Sequence, residues 1–256
     1  MRLEPLALAL ALLAACRAEI SDGAGASLAT VDAAVGTPVG GNTGGGAGGS
    51  ASPDAPAGCT SRTVYLNFEG QTLTRGPSDA TLNQASWLVN PQGTAPAYLS
   101  GVANRTGVIQ NIVSGIRTQL SQFPITVVTD RPASGEYVMI VFGGRASTIS
   151  SRFSGAVNAL DCGDVQHSDV AWISDGVSPV QAVVNVAIGA IGFGLGLTAT
   201  TDQTDCMCGW DNTCQPDNSA PCKLGSPINR DPSANQTCAG LTTQDEVAAL
   251  HDAFCR

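Results

Sequence analysis

The sequence predicts an α+β domain over residues 59–256, on three observations. Segments with the two-residue alternation of β-strands stand beside one with the 3.6-residue spacing of a helix. A long uncharged segment, 177–201, follows them and fits a second, fully buried helix. Eight cysteines fall in the same span, and in an exported chain an even number implies a disulfide framework.

The elements follow in order. Val64, Leu66 and Phe68 alternate with more polar neighbours across Thr63 to Glu69, a strand that Gly70 ends. From Asn104 to Gln122 the period changes, and Ile109, Ile112, Val113, Ile116 and Leu120 share one helical face. Pro124 stops that helix near Phe123. Ile125 to Thr129 and Tyr137 to Phe142 are two further strands, the second apolar throughout, as a central strand covered on both faces would be. Val170 to Ile173 is a fourth strand. After the uncharged segment comes a Cys-, Asn- and Pro-rich stretch, about 202–240. Thr243-Gln244-Asp245-Glu246 then fits a capping box opening a last helix that buries Val247, Leu250 and Phe254.

The first residues have the features of an export signal. Arg2 precedes a short run of leucine and alanine, too short to span a bilayer. Leu13-Ala14-Ala15-Cys16 resembles a bacterial lipobox, which implies a signal peptide over 1–15 and lipidation of Cys16. Several acyl chains give stable anchoring, because each buried methylene contributes about 0.8 kcal/mol. Residues 16–58, rich in Gly, Ala, Ser and Pro, read as a flexible tether. The expected location is the bacterial cell envelope, lipid-anchored at the outer membrane or cell surface.

The net charge of −9 and the single lysine, Lys223, argue against nucleic acid as a partner. The disulfide candidates are Cys59, Cys162, Cys206, Cys208, Cys214, Cys222, Cys238 and Cys255, and their pairing is left open. Cys206, Cys208 and Cys214 are close enough to suggest a zinc site, but paired CxxC spacing is missing and export favours oxidation.

The stretch Gly189-Ala190-Ile191-Gly192-Phe193-Gly194-Leu195-Gly196-Leu197-Thr198-Ala199 resembles the zinc helix HExxHxxGxxH of the metzincin metalloproteases, in their matrixin-like exported bacterial branch. The Gly196-Leu197 step matches, and Met207 in Asp205-Cys206-Met207-Cys208 stands where that family has its methionine turn. The resemblance implies a twisted mixed sheet, a backing helix, an active-site-type helix, the methionine turn and a C-terminal helix. It also implies zinc ligands at Gly189, Phe193 and Ala199 and a general base at Ala190. None of those four side chains offers a donor atom or a base. A catalytic zinc needs three protein ligands and an open position, and a carboxylate to take the proton of its water. No catalytic residue and no metal ligand is therefore expected, and the chain reads as a pseudoenzyme.

The glycines at 189, 192, 194 and 196 disfavour an isolated helix by about 1 kcal/mol each, which suits burial and close approach by a neighbour. The rival for 177–201 is a membrane span, with more than 20 uncharged residues and Gly192-x-x-x-Gly196. Gln181 and Asn185 near its start oppose that. Met207 is expected as a hydrophobic floor, Cys162 as the anchor of a surface loop holding His167, and His251 on the polar side of the last helix. Asp202, Asp205, Asp211, Asp217 and Asp231 read as solvated loop carboxylates. Calcium suits oxygen-rich loops, but EF-hand spacing is absent, and no cofactor is expected. The leading functional expectation is a catalytically inactive domain that binds a peptide or protein at the cell surface. The alternatives are a divergent active zinc endopeptidase and a membrane-inserted structural protein.

Overall fold

A computed structural model describes residues 61–240 and 242–255. The expected signal peptide, the tether, Cys16 and Cys59 lie outside the described residues. Five strands form a mixed sheet in the order β5-β1-β6-β8-β7. These are β1 (Arg62–Asn67), β5 (Ile125–Val128), β6 (Tyr137–Phe142), β7 (Ala156–Val157) and β8 (Val170–Ile173). The first four in spatial order run parallel, and β7 lies antiparallel on the edge beside β8. β6 is central and wholly buried, which its apolar sequence requires.

The alternation of side chains builds two cores. Val64, Leu66, Val138, Ile140 and Phe142 face the helices. There they meet α1 (Arg105–Leu120), α3 (Val180–Gly194) and α4 (Glu246–Phe254). Ile112, Val113, Ile116 and Leu120 are the buried face of α1, at the expected spacing. Tyr65, Tyr137, Met139, Val141 and Trp172 face the other way. They are covered by a segment for which no element was expected: β2 (Gln71–Arg75), β3 (Gln84–Ala85), β4 (Gln92–Ala95) and the one-turn α2 (Ala146–Ile149). β2 is the centre of that small sheet, parallel to β3 and antiparallel to β4.

The uncharged segment forms a 15-residue helix, α3, inside the domain, with every residue from Ala182 to Gly194 buried except Val186. Among the described residues no helix is long and apolar enough to cross a membrane. Asn185 is the polar exception on this helix and is 3% exposed. Its Nδ2 donates to Ala220 O at 3.0 Å and Asn218 Oδ1 at 3.2 Å, and its Oδ1 accepts from Cys222 N at 3.0 Å and Gln181 Nε2 at 2.9 Å. The helix thereby holds the Cys-rich stretch.

The start of α4 differs from the expected capping box. Thr243–Gln244 forms β10, paired with β9 (Ile228–Asn229). Asp245 is the cap, its carboxylate accepting from Ala248 N at 2.9 Å. Glu246 does not reach back to cap; it is fully buried and accepts from Gly225 N at 2.7 Å. Leu250 and Phe254 are buried as expected, and Val247 is half-buried.

Three disulfides are seen among the described residues: Cys162–Cys238, Cys206–Cys222 and Cys208–Cys214. Cys255 is also disulfide-bonded. Bridges of this number belong to an oxidising, non-cytoplasmic compartment.

Candidate functional site

The carboxyl end of α3 and the turn beneath it build the site. Gly196 ends the helix at φ +86°, where a β-carbon would also meet Asp161 O at 2.8 Å. This left-handed step suits glycine. The chain then turns through Thr198, Ala199 and Thr200 and returns at Asp205–Cys208. Met207 is fully buried in the helix-side core, and a β-carbon on Gly192 would meet its Sδ at 2.9 Å. Two bridges fix the cysteines on either side of it.

Trp210 occupies the space beside the helix. A β-carbon on Gly189 would overlap its indole and meet Cys206 O at 2.5 Å. The same indole stacks on Phe193, with ring centroids 5.3 Å apart and planes at 30°. The structure thus brings Gly189 and Phe193 together on one aromatic plug. Ala190 is buried, and its carbonyl accepts from Asn158 Nδ2 at 2.9 Å. Ala199 is buried on the turn, and its carbonyl accepts from Asp231 N at 2.7 Å. These residues do not fit a zinc ion: they carry no donor side chain, and the indole fills the space beside two of the positions. Among the described residues no group of three His, Cys, Asp or Glu side chains is placed to hold a metal ion.

A cleft of about 360 Å³ opens next to this plug. Phe153, Ala156, Val186, Phe193, Trp210 and Pro216 supply its apolar lining. One wall is the edge strand β7. Ser174 N donates to Gly155 O at 2.8 Å, so Gly155 and Val157 turn their peptide groups toward β8. By the alternation of an antiparallel ladder, the N–H and C=O of Ala156 point outward, along the cleft. The opposite wall is the Cys208–Cys214 loop. Asp211 is the one ionisable side chain in the lining, and its carboxylate already accepts from Gln236 N and Asn235 Nδ2.

The loop aspartates are not all solvated. Asp205 and Asp231 are 2% and 5% exposed. Asp231 accepts from Ser233 N, Ser233 Oγ and Asn212 Nδ2, and these bonds hold its carboxyl below the usual range. Hydrogen bonds from Thr204 do the same for Asp202, and those from Ser219 for Asp217. Asp202 and Asp217 serve their own turns, Asp211 and Asp231 also tie in distant segments, and among the described residues no three of these carboxylates are grouped to hold a metal ion. His167 lies 3.1 Å from Glu136 Oε2, and His251 is exposed against the Phe123 ring; neither lines the cleft.

Three buried carboxyl groups were missed by sequence reasoning. Asp169, 1% exposed, has no hydrogen-bond partner for either oxygen among the described residues. Burial, with the nearby charges of Asp161 and Asp164, pushes its pKa up to about 8. Asp205 and Glu246 form the other group, both raised by burial. Compared with known proteins, the chain matches no family model and no curated protein.

Proposed function

We propose that this domain is a metzincin-like scaffold without hydrolytic chemistry, which holds an extended peptide or protein segment along β7. The outward-facing peptide group of Ala156 beside a largely apolar cleft, whose one carboxylate, Asp211, is already hydrogen-bonded, carries this proposal. An added strand gains main-chain hydrogen bonds from an exposed edge and specificity from the pockets next to it. The Gly196 turn, Met207 beneath α3 and the helix order support the metzincin-like part. The absence of donor atoms at Gly189, Ala190, Phe193 and Ala199 supports the loss of hydrolysis. In this reading Cys16 carries the lipid that keeps the domain at the cell envelope.

The test is a screen of an extended-peptide library against the purified protein, followed by calorimetric titration of the hits. Ala156→Pro removes the outward N–H and abolishes binding, and Trp210→Ala weakens it. Chelator-sensitive cleavage of any library peptide, or binding untouched by both substitutions, overturns the proposal.

A further inference from the structure

We propose that Asp205 and Glu246 share a single proton, and that this proton fastens the methionine turn to the start of α4 as a reversible latch. The geometry leaves little else for these groups to do. Asp205 is 2% exposed and Glu246 fully buried. Asp205 Oδ1 accepts from Met207 N at 2.8 Å and Thr200 Oγ1 at 3.0 Å. Its Oδ2 is buried without a hydrogen-bond partner among the described residues. Glu246 accepts from Gly225 N at 2.7 Å through Oε2 and from Gln244 Nε2 at 2.7 Å through Oε1. Residues 223–225 run past both groups, Lys223 pairing with Asp205 and Gly225 exchanging hydrogen bonds with Glu246, and a proton between the two carboxyls satisfies the buried Asp205 Oδ2.

Among the described residues no cation neutralises the pair. No salt bridge forms in this region among the described residues. Arg230, from the segment before β10, donates its Nε to Gln244 Oε1 at 3.1 Å and so stops one residue short. Lys223 meets the turn through backbone, its carbonyl accepting from Cys206 N at 2.9 Å. Asp202 adds a like charge to the site, although Thr204 holds its carboxylate. Asp245 caps α4 from the exposed side, and α3 contributes no charged side chain. Two adjacent buried carboxyls cannot both ionise cheaply. One proton makes the pair a donor and an acceptor; its loss to solvent leaves two repelling carboxylates.

The latch holds a mobile consequence. Asp205 anchors Met207 N, and the same turn leads through the Cys208–Cys214 bridge to Trp210 and the cleft wall. Gln244 ties the other half in, donating to Glu246 Oε1 and to Thr198 O at 2.9 Å while accepting from Thr198 N at 3.0 Å. Ionisation therefore loosens 198–210 selectively, leaving the central sheet in place.

Hydrogen exchange of the intact, disulfide-bonded domain tests this, corrected for intrinsic chemical rates. Between about pH 6.5 and about pH 9, protection at Met207 and Cys208 falls by about tenfold or more while β6 is unchanged. Asp205→Asn keeps the acceptor for Met207 N and supplies a permanent N–H toward Glu246, so the alkaline loosening disappears. Asp169→Asn leaves it intact, which separates the latch from the other buried acid. Uniform loss of protection, no loss, or an unchanged profile in Asp205→Asn overturns the latch. If Asp205→Asn does not fold, the comparison of the turn with β6 in the natural protein still decides.

Discussion

Gly189→Ala puts the aromatic plug to a quantitative test. Alanine in place of a helical glycine gains about 1 kcal/mol in propensity. Here the new β-carbon overlaps the Trp210 indole and meets Cys206 O at 2.5 Å. That carbonyl has little room to retreat, because Cys206 is bridged to Cys222 and its N–H donates to Lys223 O at 2.9 Å. Overpacking a close-packed interior costs about 1–3 kcal/mol, and two hard contacts place this case at the upper end. The net expectation is a loss of about 2 kcal/mol. Gly192→Ala is the internal control. Its β-carbon meets Met207 Sδ at 2.9 Å and Leu197 Cδ1 at 3.0 Å, both ends of flexible side chains. That variant stays within about 1 kcal/mol of the parent. Equilibrium unfolding in urea with the bridges intact reads both, as a change in midpoint at constant slope. A Gly189→Ala variant as stable as the parent refutes the seating of the indole against α3, and with it the claim that no ion has room there.

Other expectations rest on the same packing and buried charges. Phe193→Ala removes a side chain 2% exposed and its stack with Trp210, and a loss of about 3–4 kcal/mol in the same urea assay is expected. Asp169 binds its proton more tightly folded than unfolded, so the folded chain holds more protons between the ordinary carboxylate range and about pH 8. Stability therefore falls as pH rises through that window, by up to about 6 kcal/mol from this group, and Asp169→Asn removes that share of the slope while leaving the part due to Asp205 and Glu246; a parent profile that rises with pH there excludes this account. Replacing both cysteines of Cys162–Cys238, which closes a separation of 76 residues, costs about 4 kcal/mol; the 6-residue Cys208–Cys214 loop costs less, and thermal unfolding ranks them.

Much of the helix-side architecture was legible because periodicity reports it. The strand at Arg62–Asn67 and the helix ending at Leu120 lie close to where alternation, helical spacing and Pro124 put them. The layer over the other sheet face was not legible. β2 and β4 read Gln-Thr-Leu-Thr-Arg and Gln-Gly-Thr-Ala, and one buried leucine in the first with a buried glycine and alanine in the second gives no pattern to find. Asp205, Asp231 and Glu246 sit among loop-type residues that suggest solvent, and their burial depends on distant donors such as Gly225 N and Asn212 Nδ2. Trp210 left an indirect trace: a glycine at 189 signals a close neighbour without naming it. The outward peptide group at Ala156 left none, since a two-residue edge strand is defined by its partner.

Asn185 has one last implication. Its two N–H donors and both lone pairs of its oxygen are engaged, and every engagement runs along or out of one side of α3. A cylinder clad in valine, alanine and isoleucine could otherwise settle at several azimuths with similar hydrocarbon contact. A single amide keys its rotation, and so decides which side of the rod meets the indole.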